Sequence, residues 1–199
     1  MSEVLSDRYC IASVGQIDLV LSPQMLVSCD MVDHGCHGGD AWPGFNFMIS
    51  HGLVRDQCLP YTSGNNGTNG DCPADGTCSI PNVSPQLFKC KPNSLVSFNN
   101  TSDIKQAMLN YGVLYCEFDV YADFKQYKSG IYYKTSNNLL GQHAVKLLGW
   151  GKQNGINYWT FQNSWGADWG ENGFFRIKIG ESNICGFSWV CDPDLTVIH

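Results

Sequence analysis

The sequence predicts an α+β fold with two lobes, a helical lobe over residues 1–92 and an antiparallel β lobe over residues 93–199, with a cleft between them. Three observations predict it. Residues 41–49 form an apolar segment of helical character, residues 112–120 alternate as a strand does, and residues 143–165 hold two strand-like runs joined by a turn rich in Gly and Asn. With 199 residues and 43% hydrophobic content, the chain is long enough to bury a proper core.

Three helices are expected in the first lobe. Residues 2–11 (SEVLSDRYCI) have apolar side chains at roughly helical spacing but no N-cap, so we interpret them as the second half of a helix. Ser22 followed by Pro23 supplies an N-cap and a first-turn proline for a short second helix. The third is the segment 41–49. In the second lobe, residues 102–109 predict a short amphipathic helix.

A predicted β-hairpin carries the candidate site. Its strands are HAVKLLGW, which starts at His143, and INYWTFQNSW, which contains Asn163. A turn centred on residues 153–154 would bring His143 opposite residues 162–164. The Asn163 oxygen could then accept a hydrogen bond from the imidazole, which fixes its tautomer and leaves the other ring nitrogen for proton transfer. Trp165, further along the same strand, would keep water from that bond.

A lone histidine in an aromatic-rich sheet is more often a core residue, but two segments here favour catalysis. GQHAVKLLGWG and YWTFQNSWGADWGENGFFRI resemble the His and Asn blocks of the papain family of cysteine peptidases. YADFKQYKSGIYY, SDRYCI and GCHGG are most similar to its cathepsin B branch, and the resemblance covers residues 2–190. It implies a papain-like fold and covalent acyl transfer without a cofactor, with His143 as general acid/base, Asn163 orienting its ring and Trp165 shielding the pair.

The same resemblance bears on the nucleophile. In the papain family the nucleophilic Cys stands at the front of a long central helix, and SDRYCI resembles the end of that helix. We therefore expect the nucleophile upstream of Met1, an incomplete first lobe, and a chain that is inactive on its own. By the same resemblance, Cys10 and Cys36 would lack the cysteines with which they form disulfides in cathepsin B, and would remain free thiols. We do not expect one of the ten cysteines to replace the nucleophile.

The residues implied to bind substrate are Gly38, Gly39, Ala144 and Val190. Glycines allow close approach of a substrate backbone, although a simple tight turn is the structural alternative. Val190 stands where cathepsin B carries an acidic residue that accepts Arg, which predicts an apolar pocket. A metal site at the neighbouring His34 and His37 is disfavoured, because no second pair of ligands accompanies them, and no metal is predicted.

Cysteine content and sequons favour an oxidising compartment. The ten cysteines contain no Cys-x-x-Cys pair, so disulfides are a better interpretation than a zinc site. Sequons begin at Asn66, Asn82, Asn99 and Asn100, and add modest support for a glycoprotein. With the resemblance, these features predict a lysosomal, vacuolar or secreted protein.

Charge and composition narrow the partners. The net charge is -6 without a cluster of Lys or Arg, which disfavours nucleic acid, and no apolar run is long enough to span a membrane. We expect a monomer that binds a peptide or protein substrate, with a propeptide or a cystatin-type inhibitor as further partners. No histidine lies between His51 and His143, so the dipeptide-releasing activity of cathepsin B is not expected.

Three hypotheses for function remain. The first is a cysteine-type endopeptidase whose nucleophile lies upstream of Met1. The second is a catalytically inactive homologue that keeps its cleft as a peptide-binding or protein-binding module. A third, a disulfide-rich structural module, accounts for the cysteines and sequons but not for the arrangement of His143, Asn163 and Trp165.

Overall fold

The computed structural model describes residues 1–73, Cys78 and residues 85–198. The chain folds into two compact units, of which the first comprises Met1–Leu95 and Cys191–His199 and the second Val96–Val190. Helices prevail in the first unit and a mostly antiparallel sheet in the second, so the predicted α+β class is confirmed. The sequon at residues 82–84 lies outside the described residues.

Four α-helices and two 3-10 turns make up the regular structure described in the first unit. The helices are α1 (Ser2–Ala12), α2 (Pro23–Cys29), α3 (Ala41–Ser50) and α4 (Ser63–Asn66), and the turns are Gly35–His37 and Leu195–Ile198. The predicted cap of α2 is confirmed, because Ser22 Oγ accepts a hydrogen bond from the N–H of Met25 at 3.1 Å. In the described part of the chain, no helix is long and apolar enough to cross a bilayer.

A fully buried tyrosine on α1 anchors this helix to two other segments of the first unit. The hydroxyl of Tyr9 donates to the carbonyl of Lys89 at 2.9 Å and lies 3.1 Å from that of Asp194. Burial raises the pKa of Tyr9 to about 12, so the hydroxyl stays a donor at any physiological pH. The disulfide Cys90–Cys191 adds a covalent link, and the C-terminal residues are therefore part of the first unit.

The second unit contains one α-helix, α5 (Thr101–Tyr111), a 3-10 turn, Ala122–Gln126, and a seven-stranded sheet. Its strands are β1 (Val96–Phe98), β2 (Leu114–Tyr121), β3 (Ile131–Tyr132), β4 (Leu139–Gln153), β5 (Ile156–Gln162), β6 (Phe174–Lys178) and β7 (Ser188–Val190), in the order β1-β7-β2-β4-β5-β6-β3. Every pair is antiparallel except β3 with β6. The ring of Phe124 lies at the centre of the core, with the centroids of six aromatic rings between 4.9 and 6.1 Å away.

The β4–β5 hairpin differs slightly from the prediction. Gln153 pairs with Ile156, so the turn residues are Asn154 and Gly155, one position later than expected. Both have positive φ, 50° and 81°, which is the conformation of a type I′ turn and explains the Asn-Gly pair. β5 ends at Gln162, which leaves the rest of the predicted strand as an irregular segment.

Four disulfides confirm the interpretation of the cysteines. They are Cys29–Cys72, Cys58–Cys78, Cys90–Cys191 and Cys116–Cys185. Cys10, which is half-buried, and Cys36, which is exposed, are the two free thiols, as expected.

Candidate active site

A histidine and an asparagine from different elements meet in the second unit. His143 lies on β4, paired with Phe118 of β2, and the two rings are 6.1 Å apart. Asn163 follows β5, and its backbone N–H donates to the carbonyl of Gly173 at 2.9 Å. Its side chain extends to the imidazole, with Nε2 of His143 2.7 Å from Oδ1 of Asn163. The predicted contact is confirmed, but Asn163 makes it from an irregular segment rather than as a cross-strand neighbour.

The orientation of the Asn163 amide follows from a second hydrogen bond. The N–H of Ser164 lies 2.8 Å from Oδ1, and a backbone N–H can only donate, so the atom facing it must be the oxygen. Because that oxygen can only accept, Nε2 of His143 must carry the proton. Nδ1 is therefore an acceptor in the neutral ring, and it has no hydrogen-bond partner among the described residues.

The asparagine is almost enclosed. Only 7% of Asn163 is exposed, and its Nδ2 has no hydrogen-bond partner in the part of the chain that the structure describes. A buried donor without a partner reduces stability by about 1–3 kcal/mol. The protein tolerates this cost at Nδ2, while Oδ1 of the same amide accepts two hydrogen bonds.

Trp165 stacks close to the histidine. The two rings lie 5.0 Å apart at an interplanar angle of 31°, and Trp165 is packed edge-on against Trp169 and Phe124. The predicted proximity is confirmed, although the predicted strand is not, since Trp165 lies in a bend after β5. With 38% of its surface exposed, Trp165 lies between solvent and the core on this side of the imidazole.

Burial of the imidazole lowers the pKa of His143 below 6.5, and the hydrogen bond to Asn163 opposes this shift. A largely neutral ring with a bare Nδ1 can take a proton from an acid such as a thiol. The second unit offers no thiol, because its two cysteines, Cys116 and Cys185, are joined in a disulfide.

Gly38 and Gly39 belong to the first unit, and the fold explains both. Gly38 has φ of +105°, which a residue with a side chain rarely adopts. A Cβ on Gly39 would collide with the carboxylate of Asp33. This carboxylate accepts a hydrogen bond from the N–H of Asp40 at 2.9 Å, and burial raises its pKa. The tight-turn alternative thus accounts for both glycines, and their role in substrate binding stays a prediction.

The two remaining predicted residues differ in exposure. Ala144 is exposed, next to His143 and opposite Glu117 of β2. Val190 is fully buried in the core of the second unit. Its predicted role in specificity is untested.

Sequence reasoning missed Ser164, whose backbone N–H orients the amide. No sequence signal could have identified it, because every residue except proline has that donor. Among the described residues, no group of three or more His, Cys, Asp or Glu side chains is arranged to hold a metal ion.

Comparisons with known proteins identify the family of the chain. The family model described as papain family cysteine protease matches residues 2–190. Cathepsin B-like CP3 from Giardia intestinalis is 39% identical over 184 residues, which cover 92% of this chain and 60% of that protein. Cathepsin B from Dictyostelium discoideum is 36% identical over 202 residues, covering 94% and 61%. The chain thus spans about 60% of the length of these curated relatives.

Solved structures give the same result. Procathepsin B S9 from Trypanosoma congolense superposes with a TM-score of 0.89 at 31% identity, over 97% of this chain and 66% of that one. The bromelain protease from Ananas comosus, in complex with the E64 inhibitor, gives a TM-score of 0.73 at 29% identity, over 96% and 85%.

Proposed function

Because the chain belongs to the papain family of cysteine proteases, we propose that His143 and Asn163 are the acid/base half of an endopeptidase that works through an acyl-thioenzyme. The observation that carries the proposal is the amide of Asn163, whose oxygen accepts from both Ser164 and the imidazole. This arrangement keeps Nδ1 of His143 available for a proton.

We further propose that the nucleophilic cysteine is supplied by a segment ahead of Ser2 in a longer polypeptide. Two facts support it: the cysteines of the second unit form a disulfide, and the relatives are longer than this chain. The backbone donors that stabilise the tetrahedral oxyanion would come from the same segment, and such a donor accelerates the reaction on the order of a hundredfold.

The proposed steps begin with transfer of the thiol proton to Nδ1 of His143. The thiolate then attacks the peptide carbonyl, and the imidazolium returns that proton to the leaving amine as the C–N bond breaks. In the second half, Nδ1 takes a proton from water as the water oxygen attacks the thioester; the C–S bond then breaks, the imidazolium returns that proton to the sulfur, and the acid and the thiol are released. Asn163 holds the ring in one orientation throughout, and Trp165 limits water at the Nε2–Oδ1 bond.

The setting of this activity follows from the disulfides. Four disulfides persist only where thiols are oxidised, which supports a lysosomal, vacuolar or secreted protein that acts on peptide or protein substrates. A propeptide is a plausible partner, since the similar protein from Trypanosoma congolense is a procathepsin. The alternative function, a peptide-binding module without catalysis, applies if no nucleophile is supplied.

The test is to restore the nucleophile and measure proteolysis. A chain extended ahead of Ser2 with a Cys-Gly-Ser-Cys-Trp-containing segment should hydrolyse a fluorogenic peptide amide. His143→Ala should abolish turnover, while His51→Ala, a histidine stacked on Phe47 in the first unit, should retain it. Equal loss in both variants, or an extended chain that folds and binds a peptide aldehyde without any turnover, would favour the binding module.

A further inference from the structure

The segment between β5 and β6, residues 163–173, carries both of the side chains that hold the imidazole of His143. Oδ1 of Asn163 lies 2.7 Å from Nε2 of the ring, and the ring of Trp165 lies 5.0 Å from the imidazole. We call this segment the Asn–Trp loop. Because both partners belong to one loop, the position of that loop determines how the imidazole is held.

Backbone hydrogen bonds close the Asn–Trp loop at its base. The N–H of Asn163 donates to the carbonyl of Gly173 at 2.9 Å, and the N–H of Gly173 donates to the carbonyl of Trp169 at 2.7 Å. The ring of Trp169 packs edge-on against that of Trp165, 5.1 Å away. These contacts link Asn163 to Trp165 through the base of the loop, so a shift of the loop would change both contacts of the imidazole at once.

A tight turn at the end of the loop orients the carbonyl to which Asn163 donates. Asn172 and Gly173 both have positive φ, 57° and 89°, as in a type I′ turn. The residues on either side of the turn pair with each other. The N–H of Glu171 donates to the carbonyl of Phe174 at 2.8 Å, and the N–H of Phe174 donates to the carbonyl of Glu171 at 3.2 Å. The position of Glu171 therefore constrains the position of the Gly173 carbonyl.

The side chain of Glu171 anchors this turn to the sheet. Its carboxylate accepts from Nε and Nη2 of Arg176, on β6, at 3.0 and 2.6 Å, and from the N–H of Gly130, which precedes β3, at 2.8 Å. Both charged side chains are mostly covered by protein, so solvent screens the pair only in part. The hydrogen bonds from Arg176 lower the pKa of Glu171, and the carboxylate is therefore ionised at neutral pH.

Burial contributes little to the position of the loop. Residues 164–168 are all exposed, so this part of the loop depends on the contacts made further along the chain. Trp169 supplies one anchor, because its Nε1–H donates to the carbonyl of Lys125 at 3.2 Å. Glu171 supplies an ionic anchor, and hydrogen bonds to a charged group are roughly twice as strong as those between neutral groups. The ionic anchor lies at the turn that fixes Asn163.

We propose that Glu171 is a positioning residue for His143. Its ion pair with Arg176 holds the Asn–Trp loop so that Asn163 and Trp165 contact the imidazole together and keep its proton on Nε2. That the ring then serves peptide hydrolysis rests on the proposed function; that Glu171 positions the ring does not. The alternative, that the ion pair only stabilises the sheet, predicts a different result for the same variants.

The experiment is side-chain ¹⁵N NMR of the full chain labelled in its histidines, with the signals of His143 assigned by their loss in His143→Gln. Glu171→Gln keeps the size of the side chain but removes its charge and one of its acceptors. The ratio of the Nε2 to the Nδ1 tautomer should fall about fivefold, as expected when one net hydrogen bond is lost. The ring protons of His143 should also lose part of the shift that the Trp165 ring current causes.

Both signatures unchanged in a folded Glu171→Gln variant would overturn the proposal. No catalytic thiol is needed for the measurement, so failure of the peptidase proposal leaves this result unaffected.

Two matched variants separate positioning from a general loss of stability. Asp168→Asn removes a charge at an exposed position of the same loop and should leave the His143 signals unchanged. Asp123→Asn removes a carboxylate that accepts three hydrogen bonds from residues outside the loop. It should lower the melting temperature without moving the His143 signals.

Arg176→Lys tests the other half of the ion pair. It keeps the charge but loses the two parallel hydrogen bonds of the guanidinium, so it should change the tautomer ratio in the same direction as Glu171→Gln but by less. This variant keeps the proposal testable if Glu171→Gln does not fold. An unchanged ratio in Arg176→Lys, or an equal change in Asp123→Asn and Glu171→Gln, would mean that the ion pair acts only through overall stability, which contradicts the proposal.

Discussion

Replacing Asn163 with leucine, a side chain of similar size without an acceptor, should both destabilise the second unit and release the His143 ring. Oδ1 of Asn163 accepts from Nε2 at 2.7 Å and from the N–H of Ser164 at 2.8 Å, and only 7% of the residue is exposed. Each buried donor left unpaired costs about 1–3 kcal/mol. Because His143 is half-buried and can turn towards water, we expect a total loss of about 2–4 kcal/mol in the free energy of unfolding.

The assay combines urea unfolding with imidazole ¹⁵N NMR. The unmodified chain should show the tautomer protonated on Nε2, and Asn163→Leu should show a mixture of both tautomers. Asn163→Asp is the matched control, because its carboxylate can still accept from Ser164 and His143. It should retain the Nε2 tautomer and raise the pKa of His143 through its negative charge. A proton on Nδ1 in the unmodified chain, or a leucine variant as stable as the parent, would refute the reasoning.

Three further predictions concern pH and packing. Burial lowers the pKa of His143 in the folded chain below its unfolded value of 6.5, so between these two pKa values the unfolded chain binds more protons than the folded one. The stability that this residue contributes is therefore complete above pH 6.5 and is lost as the pH falls through the folded pKa. Urea unfolding of the parent and of His143→Gln at several pH values should show this loss. Removing the disulfide with Cys116→Ala and Cys185→Ala frees a link across 69 residues and should cost about 4 kcal/mol by the chain-entropy estimate, measured against the parent by urea unfolding. Phe124→Ala should cost about 3–5 kcal/mol, because its ring is fully buried among six others, whereas Leu109→Ala, at a residue 71% exposed, should change the melting temperature little.

Much of the site was predictable because it depends on local signals. The Asn-Gly pair fixed the hairpin to within one residue, and that was enough to bring His143 close to Asn163. The prediction extended the second strand through Trp165, but β5 ends at Gln162, because periodicity does not reveal where a chain leaves a sheet. The predicted contact between His143 and Asn163 still forms, because the Asn163 side chain is long enough to reach the imidazole from the irregular segment after β5.

Long-range features were less accessible. The assignment of residues 191–199 to the first unit depends on Tyr9, on the ion pair of Arg8 with Asp192, and on the disulfide from Cys90, none of which a local pattern predicts. The position of residues 179–187 beside β2 likewise depends on the disulfide Cys116–Cys185, which no local pattern predicts.

We propose above all that His143 and Asn163 serve a thiol supplied by a segment ahead of Ser2. The most direct measurement is to label the protein from its natural source with a thiol-reactive epoxide, which modifies activated cysteines, and to map the labelled peptide by mass spectrometry. We predict a single label on a cysteine ahead of Ser2, lost when the active site is first blocked with a peptide aldehyde. A chain that begins at Met1 and takes no label, or a label on Cys10 or Cys36, would contradict the account.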